Sequence, residues 1–464
     1  MSTAVRASRA ASPPRPRGLP LVGHTFEYTR DPLGFLQRAA REHGDFVELR
    51  FPTVRTLLVS DPAWIERIVV TENRSYVKDR FTRDLRRVLR EGLLTSEGDL
   101  WRRQRRLANP AFHKERIAGY AEIMTGAAEA TCRRFRPGET RDVHADMMSL
   151  TLDIVTRALF SAELGADGAA VADALAVIAD RYADPLLTLL PFLDRLPTSK
   201  GRRFWQAVER LDEIVYRILR TRRAAASIWR ASPEGKGDLL GMLLDARDEE
   251  GGRLSDVELR DLVMTLFLAG HETTAIALGF AFHLLSENPA VDAALASELE
   301  SVLGDSPAGL AHLPRLRYTE AVILESMRLY PPVWALGREA AVPVEIAGHR
   351  LAPGAQVWMS EWVVHRDPRW FQAPEEMLPE RWLEGGDRPR PKFAYFPFGG
   401  GPRLCIGQSF AMMEAVLVLA TIARRFRLRH VPGRRIELLP SVTLRPRGGL
   451  PMLVEARQGG PRAA

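Results

Sequence analysis

Cysteine is nearly absent from this chain of 464 residues, which contains only Cys132 and Cys405. Two cysteines cannot build a disulfide framework, so the composition favours a reducing compartment. Lysine is also scarce, with five residues among the 65 lysines and arginines. The arginines are spread along the chain with acidic residues among them, which disfavours a nucleic-acid-binding patch because such a patch needs cations clustered on one face. A basic surface that binds an acidic protein partner remains possible.

The first seventeen residues, MSTAVRASRAASPPRPR, contain no apolar run. They therefore predict neither a signal peptide nor a membrane anchor, and the protein is expected to be cytoplasmic. Abundant Arg, Ser and Ala without acids is also typical of a transit peptide, but the prolines favour a disordered arm over residues 1–17. No repeat or long low-complexity linker follows, so residues 18–464 are predicted to form a single domain.

Helical periodicity dominates between Pro62 and about Met327, where apolar residues recur three and four positions apart. Strand patterns are confined to DFVELRF and RTLLVS near the start, to VPVEIAGHRLAPGAQVWMS later, and to short segments near 435–456. Residues 262–285 and 409–423 are apolar nearly all round and predict two buried helices. A polar block at the centre of the first and the short length of the second argue against membrane spans. The predicted fold class is mainly α with a minor β region.

One cysteine lies in a glycine-rich loop, FPFGGGPRLCIG, over residues 396–407. Glycines at 399–401 permit positive φ and let the backbone lie flat against a planar ligand. The loop amides and the next helix N-terminus should lower the pKa of the Cys405 thiol, as a metal-binding thiolate requires. Arg403 offers a fork for a carboxylate of the same ligand, and Phe398 could shield the sulfur. A lone cysteine is more often a small buried hydrophobe, and the loop by itself leaves both interpretations open.

The polar block AGHETT, residues 269–274, interrupts the first apolar helix. An acid and two threonines buried in a helix are costly without partners, so the block indicates either a functional site or a hydrogen-bonded structural patch. Gly270 removes a side chain where a flat ligand could press against the helix. The Thr273 hydroxyl can bond back to the carbonyl of Ala269 and open a groove there.

The cysteine loop resembles, position for position, the haem-binding loop of the cytochrome P-450 family of haem-thiolate monooxygenases. The other motifs follow in the order expected of that family, from GLPLVGH at 18–24 to the C-terminal strands. The resemblance implies a single large helical domain with small β-sheets, haem b (iron protoporphyrin IX) as cofactor, and Cys405 as the axial iron ligand. The residues that it places around the haem are Trp101, Arg105, Ala269, Gly270, Arg338, Phe398, Gly399, Arg403, Cys405 and Gly407.

Several of these roles rest on short motifs elsewhere in the chain. Trp101 and Arg105 in WRRQR are four apart and share a helix face, and in the family both bind a haem propionate, as does the arginine matched by Arg338 in ALGREA. A solvated basic helix is the alternative for WRRQR. The pair Glu325 and Arg328 in ESMR, with an arginine of PERW at 379–382, would form a buried ionic group that fixes the architecture.

The resemblance assigns catalysis to Glu272 and Thr273, the acid–alcohol pair that delivers protons during oxygen activation. It implies a monooxygenase that hydroxylates or epoxidises an apolar small molecule with O2. Because no flavin or iron–sulfur domain is evident after the cysteine loop, electrons should come from a separate ferredoxin or flavodoxin and its reductase. We expect a monomer. A peroxide-driven hydroxylase and a non-catalytic haem-thiolate sensor or carrier are the alternatives.

Substrate class can be bounded from the segments that line the pocket in the resembled family. They are strongly apolar here: residues 185–193, Phe267 and Leu268, residues 332–336 and residues 441–444. The segment RDLRRVLREGLL at 83–94 adds charge near a predicted entrance. An apolar pocket with a basic mouth suits a fatty acid, a terpenoid or a macrocycle.

Overall fold

The structure, a computed structural model, describes residues 12–161, 167–184, 187, 198–224, 238–249, 251–386 and 389–457. Part of the predicted N-terminal arm, residues 1–11, and most of the apolar segment 185–193 lie outside the described residues. The described part of the arm, residues 12–17, forms no helix or strand.

Helices make up most of the described chain. The α-helices are α1 Thr25–Arg30, α2 Pro32–His43, α3 Pro62–Glu66, α4 Arg80–Asp84, α5 Arg86–Leu89, α6 Gly98–Ala108, α7 Lys114–Ala118, α8 Ala121–Arg134, α9 Val143–Phe160, α10 Asp167–Tyr182, α11 Ser199–Ala224, α12 Leu239–Asp245, α13 Asp256–Glu287, α14 Pro289–Leu303, α15 Arg317–Leu329, α16 Glu361–Val364 and α17 Gln408–Ala423. A π-helical turn spans Arg67–Thr71, and 3-10 turns span Asn73–Ser75, Asn109–Phe112, Leu310–Arg315, Pro379–Trp382, Lys392–Ala394 and Gly401–Arg403.

The strands form four small sheets. They are β1 Phe46–Phe51, β2 Val54–Val59, β3 Tyr76–Lys78, β4 Thr140–Asp142, β5 Leu336–Ala340, β6 Val344–Ile346, β7 His349–Leu351, β8 Gln356–Met359, β9 Phe426–His430, β10 Glu437–Pro440, β11 Leu444–Arg447 and β12 Pro451–Ala456. The largest sheet has the order β1-β2-β8-β5-β3, in which only β2 and β8 are parallel. The others are β4-β12-β9, β10-β11 and β6-β7.

Helix α13 runs through the centre of the main hydrophobic core. Its start is fixed by a capping box, in which the Ser255 hydroxyl accepts from the Glu258 N–H and the Glu258 carboxylate accepts from the Ser255 N–H. Its length and composition would allow it to cross a membrane, but 72% of its most apolar window is buried inside the protein. This burial agrees with the sequence prediction of a core helix.

Gly270 sets how closely α13 approaches α9. A Cβ on Gly270 would lie 3.1 Å from Cγ2 of Val155, which belongs to α9. The missing side chain therefore serves helix–helix packing. The sequence alone predicts a different role for this glycine, the approach of a flat ligand.

The predicted ionic group is present at the C-terminal end of α15. Glu325 accepts from Arg328 at 2.8 and 2.9 Å and from Nε of Arg381 at 3.0 Å. Nε1 of Trp382 and the N–H of Leu378 complete its coordination. All three charged side chains are almost completely buried, which ties α15 to the Pro379–Trp382 turn.

The sequence predicted the main elements and missed the strands that depend on distant partners. Both apolar helices appear, as α13 and α17, and the predicted strand patterns correspond to β1, β2, β6, β7, β8 and the strands from β10 to β12. Strands β3, β4, β5 and β9 were not predicted. Strands β3 and β4 have three residues each and pair with segments far along the chain. Strands β5 and β9 pair with the nearer strands β8 and β12, and their local sequence showed no recognised strand pattern.

Candidate active site

A cavity of about 370 Å³ lies between the cysteine loop and the middle of α13. The predicted segments 332–336 and 441–444 contribute Pro332, Val333, Leu336, Ser441, Val442 and Thr443 to its wall, and Leu268 contributes from α13. Phe267 points elsewhere and packs against Phe160 in the core. Further apolar side chains come from Leu85, Val88, Leu89, Leu94, Leu159, Leu175 and Ile178.

The charged segment 83–94 does not leave a free basic mouth at this cavity. Arg83 is bound by Glu339, and Arg90 is 2.7 Å from Asp212. Arg87 lies 2.7 Å from Asp84. Leu85, Val88, Leu89 and Leu94 of the same segment line the cavity, so its apolar side chains matter more for a ligand than its charges.

The cysteine loop takes the conformation that its glycines allow. Gly401 has φ +63°, and a Cβ there would lie 1.9 Å from the carbonyl oxygen of Val69. A Cβ on Gly400 would lie 2.4 Å from the Phe393 ring. The N–H of Cys405 donates to the carbonyl of Phe398 at 3.0 Å. The loop thus presents Cys405 to the cavity, and Phe398, Gly399 and Gly407 line the same wall.

The expected lowering of the Cys405 pKa does not hold for the chain alone. Burial among protein atoms raises the pKa of the thiol, and the N–H of Gly407 and the charge of Arg105 offset only part of this rise. Although the sulfur is accessible from the cavity, the loop shields it from bulk water. A metal that binds this sulfur must therefore displace its proton, because the thiolate is the ligand.

Helix α13 presents Ala269 and Thr273 to the cavity opposite the cysteine. Ala269 is exposed to the cavity, and the Thr273 hydroxyl donates to its carbonyl at 2.8 Å, as the sequence predicted. The backbone of Gly270 also reaches the cavity, although its missing side chain faces α9.

Glu272 is held by a hairpin that the sequence did not connect with it. Its carboxylate accepts from the Thr443 hydroxyl at 2.8 Å and forms an ion pair with Arg445 of β11. Burial alone would raise the pKa of Glu272, but the charge and hydrogen bond of Arg445, with the Thr443 hydroxyl, bring it below its ordinary value. Glu272 is therefore an oriented carboxylate. The sequence predicts that residues 441–444 line the pocket, and this was the one indication that Thr443 and the nearby Arg445 belong to the site.

Buried cations gather at one edge of the cavity. Lys78 and Arg338 are opposite each other in the pairing of β3 with β5, are 7% and 6% exposed, and both line the cavity. Arg105 on α6 is half-buried and close enough to Cys405 for its charge to act on the thiol. Within the described residues none of these three side chains forms an ion pair. Burial, with the charges of Arg338 and Arg403, lowers the pKa of Lys78 to about 7.

Arg403 and Trp101 stand beside this edge. The Arg403 guanidinium lies 3.9 Å from the centre of the Trp101 ring, donates to the Ser96 carbonyl at 2.9 Å and pairs with Glu97. Much of its hydrogen-bonding capacity is thus used within the chain. Lys78, by contrast, was missed by the sequence analysis, because nothing local distinguishes a buried lysine in a three-residue strand.

These groups fit an iron porphyrin. A thiol faces a largely apolar space, and buried cations without ion-pair partners at its edge suit two carboxylates. Cys405 would hold the iron, and Lys78, Arg105 and Arg338 are placed for the propionates.

Comparisons with known proteins agree with this geometry. The sequence matches the family profile described as Cytochrome P450 over residues 13–450. It is 39% identical to cyclooctatin synthase of Streptomyces melanosporofaciens over 95% of both chains. It is 36% identical to cyclooctat-9-en-7-ol 5-monooxygenase of the same organism, over 98% of this chain and 99% of the relative. Pentalenene oxygenase of Streptomyces avermitilis is 32% identical, over 92% and 94%.

Proposed function

The chain belongs to the cytochrome P450 family and is a monooxygenase, and we propose that its substrates are terpenoids of the cyclic hydrocarbon type. Two of the relatives are named as oxygenases, one of cyclooctat-9-en-7-ol and the other of pentalenene. The similarity to these relatives extends over nearly the whole chain.

The observation that carries this proposal is the composition of the cavity wall. Apolar side chains from α5, α9, α10 and α13 surround the space. The arginines of 83–94 that would anchor a fatty-acid carboxylate at the mouth are paired with Glu339, Asp84 and Asp212. A substrate without charge, recognised by shape and apolar contact, suits this wall better than an acid.

The residues of the chain have separable tasks in this reaction. When bound, the haem activates O2 and transfers one oxygen atom to a C–H or C=C bond. Cys405 holds the iron, and Lys78 and Arg338 neutralise a propionate edge that would otherwise be costly to bury. The apolar wall excludes water and positions the substrate against the Ala269 turn of α13.

Proton delivery is the task of Thr273 and Glu272. Thr273 lies at the cavity wall, and its hydroxyl, bonded to the Ala269 carbonyl, remains able to accept a proton and pass it on. Arg445 orients the Glu272 carboxylate and keeps it ionised, so its role is to accept hydrogen bonds from proton-carrying water and direct that water towards Thr273.

Five further features belong to the proposal. The haem is haem b, with Trp101, Arg105 and Arg403 near its carboxylates, and residues 18–464 form one domain. Electrons come from a ferredoxin or flavodoxin with its reductase. The protein is a monomer in the cytoplasm. Supporting these, α13 is buried as a core helix, and the arginine-rich composition suits an acidic redox partner.

A peroxide-driven hydroxylase and a non-catalytic sensor or carrier are the competing functions. The Glu272–Thr273 arrangement argues against both, because neither needs a proton relay. Turnover that depends on a reductase system and slows in Thr273→Ala would exclude them. Turnover on peroxide alone would favour the peroxide-driven hydroxylase. Substrate binding without any product would favour the sensor or carrier.

The test is a spectroscopic titration of the purified holoenzyme with cyclic terpenes, fatty acids and steroids. We expect a low-to-high-spin shift at the lowest concentrations for terpenes, because they match the uncharged wall. Tightest binding of a fatty acid would contradict the substrate proposal. The red-shifted Soret band of the reduced carbon monoxide complex should disappear in Cys405→His and persist in the control Cys132→Ser.

A further inference from the structure

A second cluster of metal-binding side chains lies away from the cavity, where the last turn of α13 meets β9. His283 and Glu287 are four residues apart on one face of α13, and His430 is the last residue of β9. Nδ1 of His283 is 2.6 Å from Nε2 of His430. The Glu287 carboxylate oxygens lie 3.5 Å from Nε2 of His283 and 3.9 Å from Nε2 of His430.

The two imidazoles are held in place by the surrounding structure. His283 has a side chain only 6% exposed and packs edge-on against the rings of Phe280 and Tyr330. The backbone N–H of His430 donates to the Ser286 hydroxyl at 2.7 Å, which fixes β9 against the helix end. A rigid pair of ring nitrogens favours metal binding, because little ordering is needed when the ion arrives.

The carboxylate completes the set and opens it to solvent. Within the described residues, the ion-pair partners of Glu287 are these two histidines, although the chain is rich in arginine. At 3.5 and 3.9 Å the carboxylate approaches both rings without a hydrogen bond to either. Its side chain is 54% exposed and borders a surface cleft of about 810 Å³, so an ion can reach it.

We propose that His283, Glu287 and His430 bind a divalent transition-metal ion of the Zn²⁺ class, with water as the remaining ligand. Two imidazoles and one carboxylate are a ligand set that Zn²⁺ accepts, at roughly 2.0–2.2 Å from each donor atom. The three ligand atoms lie within 4.8 Å of one another. Ligands on a tetrahedral ion are roughly 3.3 Å apart at those bond lengths, so small side-chain movements close the site.

The two imidazoles already face each other through their ring nitrogens. Nδ1 of His283 and Nε2 of His430 are at hydrogen-bond distance, so one of them carries the proton between them. For both nitrogens to bind zinc, this proton moves to the other nitrogen of its own ring or to water. Since β9 begins shortly after α17, the ion would join the end of α13 to the segment that follows α17. These two helices contribute opposite walls of the cavity.

The experiment is a calorimetric titration of the untagged, chelator-treated holoenzyme with Zn²⁺. One zinc should bind per chain, and zinc should raise the thermal midpoint of unfolding. Glu287→Gln and His430→Ala should each weaken binding by at least about tenfold, because even outer-shell changes cost about that much, and the thermal shift should vanish. His349→Ala, a histidine on β7, is the matched control and should bind zinc as wild type does.

A second measurement identifies the donors directly. X-ray absorption at the zinc edge should show two imidazole nitrogens and oxygen donors in the wild type and one imidazole in His430→Ala. An unchanged Soret spectrum shows that each variant is folded. Absence of saturable zinc binding, or equal affinity in the variants and the wild type, would overturn the proposal and leave a hydrogen-bonded histidine pair.

Discussion

Replacing Lys78 by methionine should accelerate haem loss from the holoprotein and stabilise the haem-free chain. Lys78 is 7% exposed, and its ammonium forms no ion pair within the described residues. It shares the cavity edge with Arg338, which lies opposite it in the sheet. Methionine keeps much of the side-chain volume and removes the charge. The two states of the protein should therefore respond in opposite directions.

The sizes of the faster haem loss and of the stabilisation of the haem-free chain follow from the surroundings of the Lys78 ammonium in each state. With haem bound, its contact with a propionate is a charge-assisted hydrogen bond of about 1.5–3 kcal/mol, or roughly a 10- to 150-fold faster release of haem in the variant. Without haem, the lowering of the Lys78 pKa from 10.5 to about 7 corresponds to an unfavourable burial of up to about 4 kcal/mol at neutral pH. Methionine relieves that cost.

The pH dependence of the free energy of unfolding provides a further test of the buried lysine. Because the pKa is lowered on folding, the unfolded chain holds more protons than the folded chain between pH 7 and 10.5. The free energy of unfolding of the haem-free wild type should therefore rise with pH through this window. Lys78→Met should flatten that rise.

Haem release is measured as the rate of haem transfer to an excess of an acceptor apoprotein. The stability of the haem-free chain is measured by unfolding in urea. Lys200→Met, at an exposed position of α11, is the control and should change neither quantity. Equal rates of haem transfer in Lys78→Met and the wild type would refute the assignment of this lysine to the cofactor. A destabilised haem-free variant would refute the argument from burial.

The remaining predictions concern two ion pairs. Glu325→Gln leaves Arg328 and a second buried arginine without a counter-charge, so the free energy of unfolding should fall by about 3–5 kcal/mol. The control Glu213→Gln removes a glutamate whose side chain is 68% exposed and should change this free energy by less than about 1 kcal/mol. Unfolding by urea measures both values, and a similar loss in the two variants would contradict the reasoning. Arg445→Met lets burial raise the pKa of Glu272, so its destabilisation should be largest at neutral pH and shrink as the pH falls towards the ordinary carboxyl range, where that carboxyl can protonate. A loss that stays constant with pH would show that Glu272 is not held ionised by this arginine.

Local patterns were enough to predict the helical region between Pro62 and about Met327, α17 and the cysteine loop, but not α1 and α2. The glycines of that loop have a local cause in part, because Gly399 and Gly401 adopt positive φ, whereas the contact of Gly401 with the Val69 carbonyl depends on a segment far away in the sequence. The bond from Thr273 to the Ala269 carbonyl could also be predicted, because i to i−4 spacing fixes its partner within one helix.

Features that depend on distant pairing were beyond the sequence. Lys78 reaches the cavity edge because β3 pairs with β5, more than 250 residues later. The partner of Glu272 is Arg445, at a separation of 173 residues. The direction of the Cys405 pKa was predicted wrongly, because it depends on how many protein atoms surround the sulfur.

The hairpin of β10 and β11 joins two tasks in one short segment. Its tip lines the cavity with Ser441 and Val442, and the next residues, Thr443 and Arg445, hold Glu272. A bulky substrate that displaces Val442 therefore also disturbs the acid that supplies protons. Poorly fitting compounds should thus divert electrons from product to peroxide. Mutations at Val442 chosen to admit a larger ring should therefore be judged by the fraction of electrons that ends in oxygenated product, as well as by affinity.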